Sequence, residues 1–294
     1  MSIRITAPDR LGTTRLPDGR ELAWSEWGPP GAPPVLLSPG AATTRRLGTA
    51  ALDGLDGLGG PGGHGVRLIG LDRPGLGAST PAPGRTFADF VQDVRDLCAL
   101  RGLGRPAMAG NSQGAPFALA CAAAGAVSAL AVVAGSDEIA ADPAALPAGL
   151  RDLVELTAAD PAAAEETFAR FTPRAMWDMV MASSPESDLA VYRDPGFAAA
   201  YRAALEDAFA QGPAGYARDT VLAMGRWPFD LGAVAVPVDL WYGAEDTAHS
   251  PDNGAALAAR IPGARRHLVP GIGGAVLWTH TGPILRTLME RAAG

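Results

Sequence analysis

Apolar residues along the chain fall in short runs separated by glycine and proline breaks. Residues 35–37, 66–71, 106–109, 129–133, 238–242 and 265–269 have strand length, and most of these runs are continuously apolar, as in strands covered on both faces. Longer stretches lie between them. Phe87, Phe90, Val91, Val94, Leu97 and Cys98 recur at helical spacing, residues 115–124 are alanine-rich, and residues 253–261 and 275–291 read as two further helices. Near the start, Asp18-Gly19 marks the turn of a hairpin over 15–22. Strands and helices that alternate in this way predict a mostly parallel sheet flanked by helices.

Residues 137–233 break the rhythm. They have helical stretches, scattered prolines and most of the tyrosines and phenylalanines. The expected organisation is therefore an α/β core from 1–136 and 234–294, with a helical insertion over 137–233 forming a cap. Residues 117–135 are nearly all apolar and about the length of a membrane span. They are mostly alanine and glycine, however, and Gly125 divides them into a helix, a turn and a strand.

The chain has 294 residues, 48% of them hydrophobic, enough for one large core with an insertion. A formal net charge of −7 argues against a nucleic-acid partner. All 24 basic residues are arginines, which excludes a Schiff-base, pyridoxal-phosphate or P-loop lysine. Cys98 and Cys121 form no C-x-x-C pair and read as buried thiols. Residues 1–10 lack a signal pattern, so a cytoplasmic location is expected. Heavy use of alanine, glycine, proline and arginine suggests a GC-rich bacterial genome.

Gly110-Asn111-Ser112-Gln113-Gly114 fits G-x-S-x-G between a strand-like and a helix-like run. A strand that turns sharply into a helix at a serine lifts the hydroxyl above the sheet, and the flanking glycines let backbone pass close by. A helix start capped by Ser112 is the plainer reading. Residues 57–62 satisfy G-x-G-x-x-G by letter. Pro61 interrupts them, and no clear strand precedes and no amphipathic helix follows, so a dinucleotide fingerprint is rejected.

Leu16-Pro17-Asp18-Gly19-Arg20, residues 35–41, Asp72-Arg73-Pro74-Gly75 and the serine motif, in that order, make the sequence similar to the α/β-hydrolase fold family over nearly its whole length. The resemblance implies an α/β-hydrolase fold with a helical cap and an acyl-enzyme on Ser112. It implies an oxyanion held by the amides of Ala41 and Gln113, with Pro39-Gly40 where the family usually has His-Gly. It places the acid at Asp246 rather than its neighbour Glu245, with Asp137 at an alternative acid position. No metal or organic cofactor is implied.

The family pattern departs at the histidine. The expected Pro-Gly-x-Gly-His reads Pro270-Gly271-Ile272-Gly273-Gly274. A serine hydroxyl is a weak nucleophile without an adjacent base. His249, three residues past Asp246, is the preferred replacement. His280 should face elsewhere on the last helix, His267 sits in a strand, and His64 is in the glycine-rich loop. The expected function is hydrolysis of a small or medium apolar ester, thioester or lactone. The alternatives are a small-molecule binding protein that has lost the triad, or a lyase-type enzyme using the same pocket. The expected partner is a small apolar substrate, with no nucleic acid and no membrane, and a homodimer is open. Arg45 and Arg46 are either surface arginines or a site for a substrate carboxylate. Of Phe168, Phe171, Met176, Trp177, Met179, Met181, Tyr192, Phe197, Tyr201, Trp227 and Phe229 in the insertion, most should form the cap's own core and a few line an apolar pocket above Ser112.

Overall fold

The computed structural model describes residues 5–47 and 65–294. The glycine-rich stretch with its G-x-G-x-x-G letters, and His64, lie outside the described residues. Eight strands form one sheet: β1 (Arg10–Arg15), β2 (Glu21–Trp27), β3 (Pro34–Ser38), β4 (Arg67–Leu71), β5 (Ala107–Asn111), β6 (Leu130–Val133), β7 (Val238–Gly243) and β8 (Arg265–Val269). Their order is β1-β2-β4-β3-β5-β6-β7-β8. The β1–β2 hairpin is antiparallel and closes through Asp18-Gly19, and β2 meets β4 antiparallel. The other neighbours are parallel.

Helices α1 (Phe87–Arg101), α2 (Gly114–Ala123), α9 (Ala255–Ala259) and α10 (Val276–Ala293) alternate with the strands. Between β6 and β7 lie six more: α3 (Ala148–Ala159), α4 (Pro161–Phe168), α5 (Pro173–Ser183), α6 (Glu186–Tyr192), α7 (Pro195–Ala208) and α8 (Ala214–Met224). One apolar cluster packs α1, α2 and Trp227 against one face of the sheet. Another joins the opposite face to α10 and the inserted helices. The apolar run from 117 to 135 divides as expected: α2 ends at Ala123, Gly125 turns the chain at φ 67°, and β6 follows. The helix expected over 253–261 is shorter, because Asn253 and Gly254 have left-handed φ of 52° and 75° and hold off its start. No helix among the described residues is long and apolar enough to cross a membrane.

The strand order positions the site. From β3 the chain runs outward to β4 and then returns to place β5 on the other side of β3. The crevice at that reversal opens beyond the carboxyl ends of β3 and β5, where open parallel sheets bind ligands. Pro39-Gly40 leaves β3 there, and Ser112 leaves β5.

Candidate active site

Ser112 is in the left-handed region, at φ 49°. A non-glycine residue adopts that conformation at a cost, and the surroundings must hold it. Its amide donates to the Val133 carbonyl at 3.1 Å, and its carbonyl accepts from the amides of Ala115 (3.0 Å) and Ser136 (3.1 Å). The flanking glycines have no room for a side chain. A Cβ on Gly110 would lie 2.7 Å from Ala118 Cβ and 2.8 Å from Ala115 Cα. One on Gly114 would lie 2.2 Å from the Ser38 carbonyl oxygen. The spacing of the motif thus follows from α2 crossing tightly over β5 and β3. Gly40 faces the serine, since a Cβ there would come 3.4 Å from Ser112 Cβ and 3.8 Å from its Oγ.

Arg73, wholly buried, shapes the loop after β3. Its Nη1 donates to the Pro39 carbonyl and its Nη2 to the Gly40 carbonyl at 3.0 Å, while Nε pairs with Asp219 of α8 at 2.6 Å. Arg85 donates to the other oxygen of Asp219. No hydrogen bond within the described residues uses the amide of Ala41 or of Gln113. The Gln113 side chain donates to Thr220 of α8 at 3.0 Å.

The loop after β7 carries the acid and the imidazole. The Asp246 carboxylate accepts from the amides of Ala248 (3.0 Å) and His249 (3.2 Å) and lies 2.9 Å from His249 Nδ1. One tight turn therefore fixes both groups. Burial pushes the Asp246 carboxyl up, but the hydrogen bond and charge of His249 and the two amides outweigh it and hold it below the usual value. A charged Asp246 assigns the proton of neutral His249 to Nδ1 and leaves Nε2 with a free lone pair. Glu245 points away and accepts from Ser187 at 2.5 Å. Asp137 is bound to the Glu138 amide and the Ser250 hydroxyl, not to an imidazole.

Gly274 explains how the imidazole fits. A Cβ there would lie 2.6 Å from His249 Cε1 and 3.0 Å from its Nδ1. The ring of His249 thus fills the space that a side chain at 274 would enter. The other described histidines are elsewhere. His267 bonds Asp239 at 2.6 Å and stacks on Trp241, and His280 meets Thr279.

Ser112, Asp246, His249 and Gly274 line one cavity of about 500 Å³, together with Ala41, Gln113 and Asp137. Its upper wall comes from the inserted helices, including the expected Met176, Met179, Tyr192, Phe197 and Tyr201. Tyr216, Trp278 and Asp188 join them unanticipated. Asp188 accepts from the Gly273 amide at 2.8 Å and meets those of Gly274 and Ala275 at the start of α10. Burial nevertheless keeps its carboxyl above the usual value. Nothing in the sequence of α6 marks that residue as a pocket group. Arg45 and Arg46 do not line the cavity: Arg45 is buried against Asp72, and Arg46 pairs with Asp207 at 3.6 Å. They are not a carboxylate site within the pocket. Burial pushes the Cys98 thiol up to about 11 and Cys121 higher still, so neither is a ready nucleophile. Among the described residues, no group of three His, Cys, Asp or Glu is placed to hold a metal ion.

No curated protein matches this sequence. Among solved structures, a thermophilic esterase from Thermogutta terrifontis with malate bound superposes with a TM-score of 0.72 at 21% identity, covering 97% of this chain and 100% of that one. A hydrolase from Pseudomonas aeruginosa PA01 gives 0.70 at 21% identity, over 97% and 99%. The enol-lactonase from Burkholderia xenovorans LB400 gives 0.68 at 20%, over 96% and 100%. At such identities the likeness is one of fold. The family model for the alpha/beta hydrolase fold matches residues 33–281, which hold six of the eight strands and every described residue lining the cavity, and the chain belongs to that family.

Proposed function

We propose that the protein is a serine hydrolase of a small or medium apolar ester, thioester or lactone. Ser112 Oγ attacks the carbonyl carbon and passes its proton to His249 Nε2. The amides of Ala41 and Gln113 hold the resulting oxyanion, a contribution of several kcal/mol in a water-poor site. Collapse expels the alcohol or thiol, which takes the proton back from His249. Water then repeats the sequence on the acyl-enzyme and releases the acid. Asp246 orients the imidazole and stabilises its charged form. The helices over 137–233 act as the cap that covers the acyl group.

One observation carries this reading: the His249 ring, bonded to Asp246, stands in the volume beside Gly274 and within the cavity of Ser112. The binding-protein alternative rested on a missing imidazole, and that support is weakened by an imidazole in the same cavity. The test is covalent labelling with a fluorophosphonate, read by intact mass. One adduct per chain, absent in Ser112→Ala, is expected. No adduct over hours counts against an activated serine.

The space beside Gly274 gives a second expectation. Gly274→Ala pushes a methyl against His249 and misplaces the ring, so turnover falls about a hundredfold. The circular dichroism spectrum is expected to stay that of the parent. Unchanged turnover would mean that the ring position does not matter.

A further inference from the structure

The cavity wall has an uneven set of polar groups. Among the described residues, three carboxylates line it, Asp137, Asp188 and Asp246, and no arginine does. Each carboxylate is already engaged: Asp246 by His249, Asp188 by amides at the start of α10, and Asp137 by Ser250 and the Glu138 amide. They offer a ligand little to bind, but they set a negative field along the cavity wall. An entering carboxylate meets repulsion with no countercharge.

Two donors in the same wall are unused. Tyr192 on α6 and Tyr201 on α7 are each 8% exposed, with ring centroids 6.1 Å apart. Both rings line the cavity, and neither hydroxyl has a hydrogen-bond partner among the described residues. Phe197 packs against both rings, and Trp278 packs against Phe197 in turn; neither side chain provides an acceptor. Neither hydroxyl oxygen is among the sealed, unsatisfied polar atoms of the described residues, so each is open to be met by ligand or water. Burial also holds both phenols well above their usual range, so they remain donors at any working pH.

We propose that the site takes an uncharged acyl donor with an acceptor oxygen remote from the scissile carbonyl, gripped by the hydroxyls of Tyr192 and Tyr201, and that it rejects carboxylate-bearing substrates. This rests on the serine-hydrolase reading above. It names the chemistry of the acyl group: a ketone, ether or second ester on an apolar body.

The test compares kcat/KM for the 4-nitrophenyl esters of pentanoic acid, 4-oxopentanoic acid and butanedioic acid (the mono-ester). The oxo ester is expected to exceed the alkyl ester about tenfold, the value of one or two well-made hydrogen bonds. The carboxylate ester is expected about a hundredfold below the alkyl ester. Tyr192→Phe and Tyr201→Phe together should bring the oxo-to-alkyl ratio close to one, a ratio that a general loss of fold does not change. An unaltered ratio, or a carboxylate ester processed as fast as the alkyl ester, overturns the proposal. If no ester is hydrolysed, it is the hydrolase reading that fails. Calorimetric binding of the matching ketones, with the ester oxygen replaced by methylene, then reads the same ranking without chemistry. The same order supports the substrate class, and a flat order overturns it.

Discussion

Alanine at position 249 lowers turnover about 10⁵- to 10⁶-fold, the loss that follows removal of the histidine from a serine protease. His249 is partly exposed at the cavity wall and carries little packing, so the melting temperature is expected to stay near that of the parent. The informative step is the second substitution. Once the ring of His249 is gone, Gly274→His has room, because the obstruction to a Cβ there is that same ring. The new Cβ starts 3.0 Å from the former site of His249 Nδ1, which was itself 2.9 Å from Asp246. The imidazole of the double variant therefore has the carboxylate within reach. It is expected to recover about a hundredfold of the lost turnover, the lower range of general-base catalysis by a positioned side chain. Gly274→His alone, with two rings competing for one volume, is expected to be less active than the parent. Steady-state kinetics on a single ester decide the matter. A fully active His249→Ala would remove His249 from the mechanism, and a double variant no better than the single one would separate the two positions.

Arg73→Met produces the largest expected loss of stability. The methionine fills much of the space but leaves Asp219 with Arg85 as its remaining cation among the described residues, takes the donor from the Pro39 carbonyl and leaves the Gly40 carbonyl to the Thr43 hydroxyl. Breaking one partner out of a buried charged network costs about 3–5 kcal/mol. That is a large share of the margin by which a domain is folded. Urea unfolding measures it directly. A second variant, Arg73→Met with Asp219→Asn, takes the carboxylate from the buried Arg85 as well and is expected to lose more than the single variant. If the single and double variants unfold at the same urea concentration, the Asp219 carboxylate is not what stabilises Arg85 in the interior.

Some of this architecture was legible in one dimension. The inner strands β3 to β7 were, because buried parallel strands are written as short apolar runs. The turn at Ser112 was, because Gly110 answers to contacts made within a few residues of the motif, although Gly114 answers to Ser38 and Pro39 of a distant strand end. Asp246 and His249 share one turn, so their proximity was already written in a spacing of three. What lay out of reach depends on contacts across the fold. Asp188 reaches the start of α10 from 85 residues away, and Trp278 meets the ring of Phe197 from another helix. Read along the chain, Gly274 is a deletion of chemistry. In space it is the clearance for a histidine from a neighbouring loop. Arg45 and Arg46 looked available because sequence does not show that Asp72 and Asp207 hold them.

The two carbonyls that Arg73 holds have a consequence for the peptide planes that contain them. In a trans peptide the carbonyl and the next amide point in opposite directions. By fixing the Gly40 carbonyl on one side, the guanidinium turns the N–H of Ala41 to the other, away from the buried network. A crankshaft flip of that plane would aim an oxygen at the position proposed for the oxyanion, and it would first have to break a charged hydrogen bond in the interior. The direction of the dipole is thus set before any ligand arrives, by a residue that never touches one.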